Sequence, residues 1–256
     1  MRTVETTVYQ FDELSDKAKE KAREWFREAS AHDEFWEFVY EDAATIAELM
    51  GINLRQKPVK LMGGGTRYDP CIWFSGFWSQ GDGACFEGSW EWRENAGAKV
   101  REHAPQDTEL HRIADELAGY KGMSASVKHS GHYYHSGCMD IDVSGGEDWE
   151  GAAKAEGWSV SRDGKRFVDR DGNYCTDPQA PSPEDACGWE NLCALECIDA
   201  YAPDDVELDV KQTLRAFADW IYRALEKEHE YQNSDETVDE NIRANEYEFE
   251  EDGSRA

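Results

Sequence analysis

The chain has 256 residues with 55 Asp and Glu against 27 Lys and Arg, a formal net charge of −28, yet 12% of it is Phe, Trp or Tyr. Ten Trp, eleven Tyr and ten Phe exclude an acidic disordered tail, which lacks the mass to build a core, and point to a folded body with a negative coat. Such a coat repels nucleic acid, anionic lipid and free phosphate ligands, and attracts basic surfaces, above all those built to grip a phosphate backbone.

Residues 3–11 (TVETTVYQF) alternate apolar and polar side chains and read as a strand. Leu14 and Ser15 look like a staple residue and an N-cap for a helix over 16–29, with Ala18, Ala22, Trp25, Phe26 and Ala29 on one face. A second helix is expected over 34–50, its stripe drawn from Phe35, Trp36, Phe38, Val39, Ala43, Ile46, Ala47 and Met50, with Gly51 as its C′ residue. Ile52, Leu54, Val59 and Leu61 then mark a strand kinked or edged by Pro58.

After Gly63-Gly64-Gly65, two aromatic strands, 71–78 and 84–92, are joined by Ser79-Gln80-Gly81-Asp82-Gly83, a hairpin signal. In the second strand Phe86, Gly88, Trp90 and Trp92 share one face, expected in the core, and Cys85, Glu87, Ser89 and Glu91 share the wet one. Asp107 and Thr108 cap a short helix through Leu117, and residues 124–143 hold a further hairpin or meander punctuated by Ser130-Gly131 and Ser136-Gly137.

Residues 147–203 change character: two Asp-Gly turns between short alternating runs suggest a small β-hairpin unit, and Ser182 with Pro183 opens a helix over 184–198. A long helix over 204–231 buries Leu214, Phe217, Ala218, Ile221 and Leu225, and a short helix from Asp235 leads to an acidic end. The expected fold is therefore α+β: an antiparallel sheet of about five to six strands with helices mainly on one face. Residues 1–146 and 204–256 form the main domain, and 147–203 an acidic inserted subdomain. The charge is placed unevenly. Residues 1–50 hold 13 acids and 6 bases, 51–146 hold 12 and 10, 147–209 hold 17 and 5, and 210–256 hold 13 and 6.

The stretches YQFDELSDKAKEKAREWFRE, LMGGGTRYDPCIWFSGFWSQGDGACFEGSWEW, APQDTELHRIADEL, VKHSGHYYHSGCMDIDV and DENIRANEYEFEEDGSRA resemble a family of small proteins of tailed bacteriophages and prophages, commonly labelled antitoxins of toxin–antitoxin stability systems. The resemblance covers roughly residues 1–143 and 205–256, to which 147–203 look additional. It implies a phage origin and a host-facing setting and supplies no mechanism.

Several residue groups invite chemistry. His129, His132, His135 and Cys138 form an H-x-x-H-x-x-H-x-x-C run; with a two-residue turn at Ser130-Gly131, His129 and His132 would face each other closely enough to share zinc, although the spacing matches no standard ligand pattern. Cys175, Cys187, Cys193 and Cys197 are a second candidate zinc set without any CxxC, and buried thiols account for them better. No cofactor is required by either set, with a structural zinc as the alternative. Cys85 with one of His129, His132 or His135 is the attractive nucleophile-and-base combination, but the negative field opposes a thiolate.

Ser79-Gln80-Gly81-Asp82-Gly83 lacks the GK[ST] of a phosphate loop and reads as a turn, with Phe77, Trp78, Gln80 and Asp82 as candidate contacts for a protein partner. Glu147, Asp148, Glu150, Asp163, Asp169, Asp171, Glu184, Asp185, Glu246, Glu248, Glu250 and Glu251 are candidates to stand in for DNA phosphates, with Glu20, Glu24 and Glu28 as a ladder on the first helix. A local basic patch, Arg55, Lys57, Lys60 and Arg67, offsets the field.

The function expected is that of a non-enzymatic acidic inhibitor binding a basic, nucleic-acid-handling host or defence protein, partly by DNA mimicry, without binding nucleic acid itself. The alternatives are an antitoxin for a cognate toxin and a small-ligand or nucleotide-binding protein. With no apolar run long enough to span a bilayer and no signal sequence, the expected location is the host bacterial cytoplasm.

Overall fold

A computed structural model describes residues 7–31, 34–145, 159–160, 167–168 and 203–256. In chain order, β1 (Tyr9–Gln10) leads through a 3-10 turn (Phe11–Glu13) into α1 (Asp16–Ala29) and α2 (Glu37–Met50). Six strands follow: β2 (Ile52–Leu54), β3 (Gln56–Lys60), β4 (Thr66–Pro70), β5 (Ile72–Phe74), β6 (Ala84–Phe86) and β7 (Gly88–Glu91). Then come α3 (Ala96–His103), α4 (Thr108–Gly119), β8 (Met123–His129) and β9 (Met139–Gly145). After β10 (Ser159–Val160) and β11 (Phe167–Val168), the chain closes with α5 (Pro203–Gln232), α6 (Asp235–Ala244) and β12 (Glu248–Phe249).

The fold is α+β with antiparallel pairing throughout the described strands. The largest sheet has four strands in the order β2-β7-β8-β9, and β1-β12, β3-β4, β5-β6 and β10-β11 form two-stranded sheets, so the strands expected in one sheet of five to six are divided. Two compact units partition the chain: Met1–Asp42 with Ile221–Ala256, and Ala43–Trp220. Among the described residues no helix is long and apolar enough to cross a membrane.

In the first unit, the Ser15 hydroxyl accepts the Ala18 N–H at 3.3 Å and starts α1 where the sequence places it. Ala18 and Ala22 are buried against Val238 and Ile242 of α6 together with Phe11, Leu14 and Phe249, while Ala29, expected on that face, is exposed. Trp25 packs edge-on to Tyr247 and Phe249, at ring-centroid distances of 5.2 and 5.7 Å. The strand expected over 3–11 stops at Gln10, because the Glu13 carboxylate caps the Gln10 N–H at 2.8 Å and the chain turns there. Residues 1–6 lie outside the described residues.

In the second unit, Ala43, Ile46, Ala47 and Met50 of α2 are buried, and Gly51 ends the helix at φ +83°. Phe38, expected in that helix's apolar stripe, is 79% exposed. The Asp107 carboxylate caps α4 through the Leu110 N–H at 3.0 Å and accepts the Trp220 indole N–H at 2.8 Å. Helix α3 has no counterpart in the sequence expectation: it starts at Asn95, in the left-handed region at φ 61°, without a side-chain cap.

The long helix α5 runs over almost the expected span, and Leu214, Phe217, Ala218, Ile221 and Leu225 are all buried. Of residues 147–203, the paired β10 and β11 agree with a hairpin unit. The helix expected over 184–198 lies outside the described residues.

Candidate functional site

Three two-stranded ladders meet at one point in the second unit. β2 pairs with β7, β3 with β4, and β5 with β6, and the residues left between consecutive strands are Arg55, Cys71 and Glu87. Their main chains close a ring: the Arg55 N–H donates to the Glu87 carbonyl at 2.8 Å, the Glu87 N–H to the Cys71 carbonyl at 2.9 Å, and the Cys71 N–H to the Arg55 carbonyl at 2.7 Å. The Arg55 guanidinium also reaches the Glu87 carboxylate at 2.8 Å, and the other Glu87 oxygen accepts the His129 N–H at 3.3 Å. Gly88 follows because a Cβ there would sit 2.2 Å from the Asn53 carbonyl oxygen.

The junction splits the strand expected over 84–92 at Glu87 and overturns its wet face at Cys85. Cys85 and Phe86 are both fully buried, since β6 faces β5 while β7 joins the four-stranded sheet.

Two loops extend from this junction and adjoin. Residues 75–83 connect β5 to β6, and 130–138 connect β8 to β9. A Cβ on Gly83 would lie 2.5 Å from the His135 Cβ and 3.5 Å from the Tyr134 carbonyl oxygen, so glycine alone permits that approach. In the first loop one Asp82 oxygen accepts the Trp78 N–H at 2.9 Å and the Ser79 N–H at 2.6 Å. Trp78 is 87% exposed on this fixed turn, Gln80 is exposed beside it, and Phe77 is half-buried, stacked on Phe74 at 5.6 Å. In the second loop Tyr133 is 61% exposed. The structure thus brings together the 77–82 hairpin and the His129–Cys138 run.

The two-residue turn expected at Ser130-Gly131 is absent. The Ser130 N–H instead donates to the Cys138 carbonyl at 2.8 Å, closing a longer loop, and His129 pairs in register with Met139. His129 Nε2 bonds the Tyr133 carbonyl at 3.1 Å, so this nitrogen carries the proton. His135 Nδ1 accepts the Gly137 N–H at 3.0 Å, which leaves the proton on Nε2, 3.4 Å from Cys138 Sγ.

His135 is therefore a donor to the sulfur rather than a base for it. Cys85, weighed as a nucleophile beside one of these histidines, is in no state to act as one: burial, with Cys138 and Glu87 nearby, pushes its thiol up to about 12. Among the described residues no three His, Cys, Asp or Glu side chains stand together as a metal site. Cys175, Cys187, Cys193 and Cys197 lie outside the described residues.

Of the acidic candidates, Glu147, Asp148, Glu150, Asp163, Asp169, Asp171, Glu184 and Asp185 also lie outside them. Glu246, Glu248, Glu250 and Glu251 are exposed in the first unit, on a terminus fixed by β1–β12 pairing and by a Gly253 whose Cβ would clash with the Ala18 carbonyl oxygen at 2.1 Å. Glu20, Glu24 and Glu28 are exposed on α1, with Glu20 bonded to Arg23 at 2.6 Å.

An open cleft of about 490 Å³ between α4 and α5 is lined by Arg112, Glu116, Tyr120, Asp209, Gln212 and Thr213. Its groups are occupied with one another: the Thr213 hydroxyl bonds Glu116 at 3.1 Å, and Arg112 bridges Glu109 and Glu116.

The sequence did not single out Trp73 or Tyr134 for this site, whereas Lys57 belongs to the basic patch it marked. Trp73 and Tyr134 lie near-parallel, 15° apart with centroids at 6.3 Å, and His129 stands 5.9 and 5.1 Å from them. The Lys57 ammonium is 5.6 Å from the Trp73 ring centre. The aromatic density of 71–78 together with the basic patch was the available signal.

Comparison with curated proteins and with solved structures finds no match. A protein family does match, over residues 35–235, which takes in the junction, both loops and the segment 147–203. That is most of the chain, and the protein belongs to this family, described as a domain of unknown function (DUF8835).

Proposed function

We propose that the protein has no chemistry of its own and acts as a phage-encoded interaction protein, binding a basic, nucleic-acid-handling host or defence protein and blocking it. The observation that carries this reading is Trp78: a large aromatic side chain, 87% exposed, on a turn locked by Asp82, with the exposed Tyr133 on the adjoining loop. Rigid, exposed aromatic residues are the side chains that anchor protein interfaces, because they bury much area at little entropic cost.

The negative coat supports a basic partner. Residues 1–42 and 221–256 hold 24 acidic and 10 basic residues, and this field speeds encounter with a cationic surface. Exposed carboxylates such as Glu246, Glu248, Glu250 and Glu251 are suited to the Lys and Arg rows that normally hold phosphates.

The test is capture of bacterial proteins by the tagged full chain at low salt, in parallel with Trp78→Ala. A basic nucleic-acid-handling protein retained by the wild type, released by salt and lost with Trp78→Ala is the expected result. A partner bound equally at low and high salt sinks the electrostatic form of the proposal. Retention of a small toxin encoded next to this chain would instead favour the antitoxin role.

A further inference from the structure

We propose that Trp73, His129 and Tyr134 form a stacking platform for the planar ring of a small anionic ligand of the nucleotide class, with Lys57 placed to take its phosphate. The three rings come from β5, the end of β8 and the 130–138 loop, and they lie within 5.1 to 6.3 Å of one another by centroid. Each is held by other contacts. Trp73 sits opposite Cys85 in the β5–β6 ladder, His129 is fixed by Glu87 through its N–H and by the Tyr133 carbonyl through Nε2, and Tyr134 adjoins Gly83. A platform that is already formed needs little ordering when a ring is laid on it.

The rings are not core residues: Tyr134 is 37% exposed, and Trp73 and His129 are half-buried. Beside them stands a cation, Lys57. Asp69 faces Lys57 across the β3–β4 ladder, but its carboxylate bonds the Arg67 guanidinium at 2.7 Å, and Glu87 bonds Arg55. Among the described residues no carboxylate pairs with Lys57. Its ammonium lies over the Trp73 ring, 5.6 Å from the centre, within reach of a phosphate attached to a stacked base.

Aromatic faces accept any base, which makes the ring class recognisable and its identity secondary. The net charge decides the ligand's size. A field of −28 opposes a polyanion phosphate by phosphate, whereas a monophosphate meets it with one or two charges and can be held by a single local cation.

The experiment is titration calorimetry of the full chain with adenosine and guanosine 5′-monophosphates, with adenosine, inorganic phosphate and a ten-nucleotide single strand as comparison probes. Saturable binding of a monophosphate, weaker binding of adenosine and none of phosphate are expected. Tyr134→Ala weakens the monophosphate by about tenfold, and Lys57→Ala weakens it and removes the loss of affinity with added salt that the ammonium–phosphate pair contributes. Both side chains are partly exposed, and circular dichroism confirms that the variants fold.

Absence of monophosphate binding up to about 5 mM overturns the proposal. So does binding that survives both substitutions. A single strand that binds more tightly than the monophosphate overturns the assignment to a small ligand.

Discussion

Arg55 is bonded to Glu87 twice, once through its backbone N–H to the Glu87 carbonyl and once through its guanidinium to the Glu87 carboxylate, both at 2.8 Å. The two residues stand where β2 gives way to β3 and β6 to β7, so the pair fixes the point at which three ladders part. The partners are unequal: the Arg55 side chain is 69% exposed and that of Glu87 is 17% exposed. Glu87 also receives the His129 N–H.

Arg55→Ala is expected to cost under about 1 kcal/mol, as for other solvent-screened ion pairs. Glu87→Ala is expected to cost about 1 to 3 kcal/mol, because it leaves the His129 N–H without an acceptor in a part-buried place. Urea unfolding of the two variants checks the order. A larger loss from Arg55→Ala would show that the ion pair, and not the carboxylate's other bond, holds the junction.

This junction is also where the sequence was least legible. The helices were readable because their signals are local: Ser15 and Asp107 cap the helices they precede, and the α5 stripe repeats at helical spacing. The run 84–92 alternates without interruption, and the groups that divide it, the Arg55 N–H and the Cys71 carbonyl, lie far away in the chain. The hairpin expected over 124–143 is present as β8 and β9, but its loop is longer than a two-residue turn at Ser130-Gly131, since the Ser130 N–H bonds the Cys138 carbonyl. The meeting of the 77–82 turn with the His129–Cys138 run depends on a close approach at Gly83, and no periodicity encodes it.

The acidic C-terminus has its own pH signature. The Asp252 carboxyl is held well below the usual carboxylate range, first by the Lys21 ammonium at 2.6 Å and then by the Ser254 N–H and hydroxyl. A folded value below the unfolded one adds stability that is complete above about pH 5 and is lost as pH falls through the unfolded carboxylate value and on toward the folded one. The Tm difference between wild type and Asp252→Asn is therefore expected at pH 7 and should shrink progressively from about pH 5 to pH 3. The general relief of charge repulsion on acidification acts on both proteins alike and cancels in the difference. A constant difference over that range would place the stabilisation elsewhere.

Thiol reactivity should separate the cysteines of the junction. Cys85 is fully buried and its thiol is pushed up to about 12 by burial, and Cys71 is also buried and raised for the same reason, with the Glu87 charge adding to it. Cys138 is only half-buried, on the outer loop beside His135 Nε2–H. A brief iodoacetamide pulse at pH 8, read by mass spectrometry of the digested protein, should label the Cys138 peptide well before those of Cys71 and Cys85. Equal labelling of all three would mean that the junction opens on the timescale of the pulse.

Trp78 and Phe77 are neighbours with opposite roles, and that contrast can be measured. Trp78 projects from the turn that Asp82 holds, so Trp78→Ala removes almost no buried area and should change stability by no more than about 0.5 kcal/mol. Phe77 is half-buried against Phe74, and Phe77→Ala should cost more, about 1 to 3 kcal/mol. Under the proposed function the ranking reverses for partner capture: the stable Trp78→Ala protein loses the partner, because an interface anchor contributes where it is buried in the complex and not in the free chain. Denaturation midpoints and capture from lysate, measured on the same two proteins, separate the roles. Loss of stability with Trp78→Ala, or capture that persists without the indole, would remove the turn from the binding surface.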